Sequence, residues 1–158
     1  MQIRRFIDTD APALAAMIAH TLRTTNSKDY PPDYIEADVR AMSAKRLCER
    51  AGWIHLYVVC DGGQIVGSGG IGPFWGREDE SSLFTIFVLP SRQGQGVGRR
   101  IVETLESDAY ALRARRIEVP ASITGLPFYQ KLGYSFKDGC DRLDEERLYR
   151  LEKFRQRK

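Results

Sequence analysis

Between Leu83 and Leu105 the chain passes from an apolar run through three alternate glycines and straight into helical spacing, an order few folds accommodate. The run Leu83-Phe84-Thr85-Ile86-Phe87-Val88-Leu89 is rich in β-branched and aromatic residues and predicts a buried strand. Pro90 removes a ladder donor and ends it. Gly94, Gly96 and Gly98 follow, after which Ile101, Leu105 and Ala109 recur as the inner face of a helix expected to run to about Leu112. Strand, glycine turn and helix in that order make an anion site. The first helical turn leaves its amides unpaired, and the macrodipole adds partial positive charge there. Glycines let a phosphate approach the backbone without meeting a Cβ. The expected ligand is a phosphorylated cofactor.

Spacing narrows the choice. A phosphate-binding P-loop needs Lys and Ser or Thr after its last glycine, and here Arg99-Arg100-Ile101 follow. A dinucleotide fingerprint counted from Gly94 and Gly96 would need glycine where Arg99 stands. Upstream, Gly67-Ser68-Gly69-Gly70-Ile71-Gly72 matches G-x-G-x-x-G letter for letter, but it lies in the second arm of a hairpin and runs into Pro73-Phe74-Trp75-Gly76, not a helix. It is rejected as a nucleotide site, its glycines being read as places where the strand bends or a ligand comes close. What fits the downstream loop is Gln93-x-x-Gly96-x-Gly98, which resembles the Q/R-x-x-G-x-G/A pyrophosphate loop of the GNAT superfamily of acetyl-CoA-dependent N-acetyltransferases. Phe87-Val88-Leu89-Pro90 is similar to that family's central strand. Leu126-Pro127-Phe128-Tyr129-Gln130-Lys131-Leu132-Gly133-Tyr134 resembles its F-Y-x-K-x-G-F/Y segment beside the cofactor.

The rest of the chain agrees in layout. Gln2 to Ile7 predicts a strand, and Asp8-Thr9-Asp10-Ala11-Pro12 caps a first helix over about Ala11 to Leu22. A polar loop to Pro32 precedes a second helix over Tyr34 to about Glu49. Ile54 to Cys60 and Ile65 to about Phe74 form a hairpin about Asp61-Gly62-Gly63-Gln64. Arg77 to Glu80 reads as a turn into the central strand. Arg115 to Pro120 predicts a strand, Gly125 to Leu132 a helix capped by Gly133, and Tyr134 to Phe136 a short strand. Arg147 to Phe154 fits a strand or a helix. The resemblance implies an α/β fold over residues 1–158 as one domain: a mixed, mostly antiparallel sheet of about six to seven strands flanked by about four helices.

Composition excludes several classes. Hydrophobic content of 42% and charged content of 28% are those of an ordinary globular protein, and a formal charge of +3 gives no nucleic-acid signature. The cluster Arg113, Arg115, Arg116 lacks interleaved aromatics, and Lys153, Arg155, Arg157 and Lys158 read as a solvated end. No apolar run reaches membrane length, and Met1-Gln2-Ile3-Arg4-Arg5-Phe6 lacks a signal-peptide core. Cys48, Cys60 and Cys140 stand apart, outside any metal spacing, and read as free thiols. The expectation from these features is a cytoplasmic protein without membrane, nucleic-acid or metal partners.

The resemblance assigns roles residue by residue. Amides from about Gln95 to Arg100, in the loop Gln93, Gly94, Gln95, Gly96, Val97, Gly98, would cradle the pyrophosphate of acetyl-CoA, with Arg99 and Arg100 nearby. Backbone groups of Phe87 and Val88 would pair with the pantetheine arm where the central strand splays, the Val88 N–H facing the thioester carbonyl. Tyr129 matches the family's frequent general acid, with Phe128, Lys131 and Ser122 beside the cofactor. Two departures leave the base unassigned. Ser82 stands where a glutamate is frequent, leaving Glu80 as the nearest candidate, and Ser122 replaces a frequent asparagine. Asn26, Asp29 and Tyr30, in the loop between the first two helices, and Trp75 are candidates for contact with the acceptor, a small-molecule or peptide amine. Family members are often dimers, so a homodimer is one option here, and the sequence leaves the oligomeric state open. A non-catalytic acyl-CoA-binding module on the same fold is the alternative reading.

Overall fold

Alternating side chains divide the interior. In β2 (His55–Asp61), Leu56 and Val58 face one hydrophobic layer while Tyr57 and Val59 face the other. The computed structural model describes residues 1–155, so Arg157 and Lys158 of the basic tail lie outside the described residues. β2 pairs antiparallel with β1 (Gln2–Arg5) and with β3 (Gln64–Phe74), and β3 with β4 (Arg77–Val88). Gly62 and Gly63 turn the first hairpin with φ of 58° and 81°, the left-handed pair that a tight hairpin requires. β5 (Arg116–Ala121), β6 (Ser135–Phe136) and β7 (Tyr149–Phe154) complete a seven-stranded sheet in the order β1-β2-β3-β4-β5-β7-β6. Only β4 and β5 run parallel. The last segment is thus a strand, antiparallel to both β5 and β6.

The helices are α1 (Ala11–Thr24), α2 (Pro32–Ala41), α3 (Ala44–Ala51), α4 (Val97–Glu106), α5 (Ala109–Leu112) and α6 (Leu126–Lys131). Residues of α1, α2 and α3 build one hydrophobic layer around Leu14, Ile18, Ile35 and Leu47, and those of α4, α5 and α6 build the other around Ile101, Leu105, Ala111 and Tyr129. There are six helices where about four were expected, because two predicted helices are each broken by a side-chain cap. Ser43 Oγ accepts from the Arg46 N–H and starts α3, and Asp108 Oδ1 accepts from the Tyr110 N–H at 2.9 Å and starts α5. Arg77 to Glu80, expected as a turn, already belong to β4, since the reversal falls at Trp75-Gly76, where φ is positive at both residues. None of the helices is long and apolar enough to cross a membrane.

The misleading glycines of β3 serve packing. A Cβ on Gly69 would lie 2.4 Å from Ile101 Cγ2 of α4, and one on Gly70 would lie 2.7 Å from Ile54 Cδ1 on the opposite face. Both layers therefore press onto bare backbone at the centre of the sheet. Two basic residues near the described end, Lys153 and Arg155, are likewise structural. Lys153 Nζ bonds Glu106 at 2.9 Å and the Leu132 carbonyl at 3.0 Å, and Arg155 N–H donates to the Arg115 carbonyl at 2.8 Å, which corrects the expectation of a solvated end for these two residues.

β4 and β5 stay together for three residue pairs only, Glu80–Arg116, Ser81–Ile117 and Ser82–Glu118. Beyond Ser82 they part. β7 holds β5 along its whole length, while β4 stays with β3 and bulges, setting Thr85 and Ile86 against the single Gly69. At the paired end, buried Arg116 donates to Glu118 and to Glu152, and Lys137 Nζ lies 2.9 Å from Glu118. Asp108 ties the helix layer to β2, accepting from the Tyr57 hydroxyl at 2.6 Å, with His55 Nδ1 at 2.9 Å. Burial disfavours its charge, but the bonds from Tyr57, the Tyr110 N–H and His55 outweigh this and hold the carboxyl below the usual carboxylate range.

Asp108→Ala removes the cap and leaves two half-buried partners, Tyr57 and His55, without their acceptor, so urea unfolding at neutral pH should show a loss of about 1–3 kcal/mol. Because the folded-state value is depressed, the ionic part of that loss is fully present above pH ~3.9 and vanishes as pH falls through the lowered value. The gap between wild type and variant should therefore narrow on acidification, and a gap independent of pH would contradict this account.

Candidate active site

The parting of β4 from β5 opens a cleft of about 840 Å³. One wall is the free edge of β4 from Leu83 to Val88, the other the end of β5 and the start of α6. The Leu89 N–H bonds the Val66 carbonyl of β3 at 2.9 Å. In an antiparallel ladder successive backbone groups alternate in direction, so the Val88 N–H and C=O point to the open edge. The Val88 carbonyl accepts from Gln93 Nε2 there at 3.0 Å, and the same nitrogen lies 3.2 Å from Thr25 Oγ1. Gln93 thus binds the glycine loop to the end of β4 and to the end of α1.

At the head of the cleft Gly96 caps α4 in the left-handed region, φ 83°, and Gly94 has φ 78°. A Cβ on either would meet no heavy atom within 4 Å, so the space over the loop is clear. No side chain caps this helix, and its first intrahelical bond is from the Arg100 N–H to the Gly96 carbonyl. The amides of Val97, Gly98 and Arg99 are left without helical partners at an end that carries positive potential. Gly98 has a different reason for lacking a side chain: its Cβ would stand 2.8 Å from Phe128 Cε1. Phe128 therefore seats α6 directly on the first turn of α4.

Tyr129 lies on α6 facing the cleft, 7% exposed, its ring edge-on to those of Phe128 and Tyr134. Burial pushes its phenol well above the ordinary value, so it stays protonated throughout the neutral range. Its hydroxyl makes no protein hydrogen bond among the described residues. Since no fully buried side-chain oxygen or nitrogen there lacks a partner, that hydroxyl opens to the cleft. Ser122 Oγ also lines the cleft while accepting from the Gly125 N–H at 2.9 Å, and exposed Lys131 closes the α6 side.

The structure brings together Asn26, Phe87, Val88, Gln93, Gly94, Gly96, Gly98 and Arg99 with Ser122, Phe128, Tyr129 and Lys131. Other predicted residues lie elsewhere. Val97 is buried in the core, and the Gln95 side chain turns back to the Ser91 carbonyl at 3.1 Å. Arg100 points from the other face of α4 into a separate depression of about 550 Å³ with Tyr57 and Asp108. Glu80 is bound to Arg115 at 2.7 Å in the paired part of β4, eight residues and roughly 26 Å of strand from Val88. Asp29 accepts from Thr124 Oγ1 at 2.7 Å, and the buried Tyr30 hydroxyl donates to the Arg147 carbonyl at 2.7 Å while accepting from the Ile123 N–H, so both act as clips between loops. Trp75 stands 81% exposed at the far tip of the β3–β4 hairpin.

The sequence reading missed Tyr34, Asp38, Arg50, Thr85 and Glu146, which also line the cleft. Thr85 holds φ 57°, an uncommon conformation for a β-branched residue, at the bulge of β4. No local signal marks such a residue; for Asp38, the signal was a charge one turn after Tyr34 beside the apolar stripe.

A cleft with an uncapped helix N-terminus at its head and an unpaired strand edge along its side suits an acyl group delivered on a long phosphorylated carrier. The chain is an acetyltransferase. Residues 19–134 match the model of the acetyltransferase (GNAT) family, and the protein belongs to that family, whose cosubstrate is acetyl-CoA. Solved structures agree in fold. A PaiA N-acetyltransferase from Thermoplasma acidophilum in complex with coenzyme A superposes with a TM-score of 0.82 at 16% identity, covering 98% of each chain. A GCN5-related N-acetyltransferase from Rhodopseudomonas palustris gives 0.78 at 22% identity over 97% of this chain and 94% of the other. A GNAT acetyltransferase from Brucella melitensis in complex with acetyl-CoA gives 0.62 at 18% identity over 85% and 82%. No curated protein sequence matches the chain.

Gly98→Val would force Phe128 off the first turn of α4 and should lower stability by about 1–3 kcal/mol in urea unfolding. A variant as stable as wild type would contradict the close seating of α6 on α4.

Proposed function

We propose that this protein transfers the acetyl group of acetyl-CoA to a primary amine by direct attack of the neutral amine on the thioester. The observation that carries the reading is the Val88 N–H directed at the open edge of β4, between the uncapped turn of α4 and the Tyr129 hydroxyl. Acetyl-CoA supplies an activated carbonyl and a stable thiolate leaving group. In this reading the amides of Val97, Gly98 and Arg99 hold the pyrophosphate, with Arg99 adding charge. The free backbone of Val88 pairs with the carrier arm as a short added strand would, whereas by the same alternation the Phe87 backbone groups face β3, which corrects the expectation for Phe87. The Val88 N–H donates to the carbonyl oxygen, where negative charge grows as the carbon–nitrogen bond forms. Tyr129 donates to the sulfur as the carbon–sulfur bond breaks, and its proton is made good from the attacking nitrogen, which is strongly acidic once it bears a positive charge. Asn26 lines the cleft next to Thr25, which the Gln93 side chain reaches. Carboxylates lining the cleft belong to Asp38 and Glu146, so a base role falls to these or to solvent rather than to Glu80.

Gly96→Glu should place a bulky anion over the loop and abolish coenzyme A binding in isothermal calorimetry; retained affinity would refute the loop assignment. Tyr129→Phe should leave that binding intact while thiol release with an accepted amine falls on the order of 10²-fold. Unchanged turnover would put the acid elsewhere.

A further inference from the structure

The acceptor half of the cleft holds two sheltered charges that have no ionic partner among the described residues. Arg50, at the end of α3, is half-buried in the wall, and among the described residues its one side-chain hydrogen bond runs from Nη1 to Thr85 Oγ1 at 3.2 Å. Burial lowers its pKa with no carboxylate to offset it. Most other sheltered guanidinium groups are treated differently: Arg4, Arg92, Arg115, Arg116 and Arg150 each lie against an Asp or Glu, while Arg155 donates to the Glu106 backbone carbonyl at 3.1 Å. Across the same space Asp38, on α2, is half-buried and has neither a cationic partner within salt-bridge distance nor a side-chain hydrogen bond among the described residues. Burial, with the nearby Glu146 charge, raises its pKa. The two do not neutralise each other, although both face the cleft.

A desolvated charge without a counter-charge destabilises a fold, and selection retains it where a ligand supplies the missing partner. Thr85 adds a second sign of this. Its left-handed backbone holds the hydroxyl against Arg50, next to the strand edge where acetyl transfer is placed. Resting on that reading of the site, we infer that the acceptor is an amine that also carries a carboxylate, of amino-acid or short-peptide size. Its carboxylate seats on Arg50, whose planar fork matches two carboxylate oxygens, and Asp38 faces its cationic nitrogen. A phosphate monoester fits less well, because Asp38 and Glu146 in the same half of the cleft would repel a dianion. A polyamine would satisfy Asp38 and leave Arg50 facing a like charge.

The test uses the whole protein and three probe sets: the twenty common amino acids, their methyl esters, and a diamine without a carboxylate. Coenzyme A binding is first measured by calorimetry for wild type, Arg50→Gln and Asp38→Asn, and equal affinities are expected; loss of binding in the wild type would overturn the proposed function itself. With acetyl-CoA saturating, at least one free amino acid should release thiol with a KM on the order of tenfold or more below that of its methyl ester. Arg50→Gln should erase that preference by raising the KM of the free acid, and Arg50→Lys should restore part of it. Both neutralising variants should melt at or above the wild-type temperature, since each removes an unpaired sheltered charge. If wild type binds coenzyme A but uses the esters or the diamine as well as the free acids, or releases thiol with none of the probes, the inference is overturned while the cofactor assignment stands. A fall in melting temperature for Arg50→Gln, with the ester preference intact, would give Arg50 a structural role instead.

Discussion

The short pairing between β4 and β5 is the constraint on which the site depends. A parallel pair that stayed together for its full length would bury the inner edge of β4 in ladder hydrogen bonds and leave no room beside Val88. The strands part because they answer to different neighbours. β7 pairs with all of β5, and β3 carries β4 through a bulge that turns it aside. Unpaired backbone is costly in a closed interior but not along an open cleft, where solvent or a ligand can meet it. The fold thus exposes polar backbone at its centre while keeping an intact sheet on both sides.

Charge is distributed by the same logic. Where β4 and β5 remain paired, Arg116 is enclosed by Glu118, Glu152 and Glu80, with Lys137 and Arg150 on the outer side of Glu118. Nearly complete compensation lets so many charges stay buried. Where the strands separate, Arg50 and Asp38 are left uncompensated. One end of the sheet is tied by satisfied ions, and the other is held open with charges in reserve. Tyr34 and Tyr30, stacked at 4.4 Å, fasten the 144–148 segment to α2 through the Glu146 and Arg147 carbonyls and so hold that wall of the cleft in place.

Glycine shows how one residue type meets separate demands. Gly96 supplies a left-handed cap above open space, Gly98 yields its Cβ position to Phe128, and Gly69 admits Ile101 against the sheet. The upstream G-x-G-x-x-G letters and the downstream loop look alike in sequence. They differ in what stands next to them: in β3 the missing Cβ atoms are replaced by isoleucine side chains, and at Gly94 and Gly96 by nothing.

Much of this was legible in the chain. Periodicity identified the strands and most helices, since burial on one face imposes spacing of two or 3.6 residues. Spacing of glycines after a strand marked the helix N-terminus, and the Phe128-Tyr129 pair marked the opposite wall. The breaks at Ser43 and Asp108 were signalled by cap residues, but a cap competes with helix continuation, and only packing settles that contest. Glu80 was drawn toward the site by its nearness in sequence to the central strand. It lies at the other end because an extended strand separates residues quickly. Arg50, Asp38 and Thr85 come from three different elements and meet only after the sheet has formed. By itself the sequence determined most of the elements, the family and the glycine turn that opens α4, because these rest on local periodicity and short-range backbone chemistry. Which charges are neutralised and which are left facing the cleft was decided by tertiary structure alone, because partnership between ions depends on distances that no local pattern encodes.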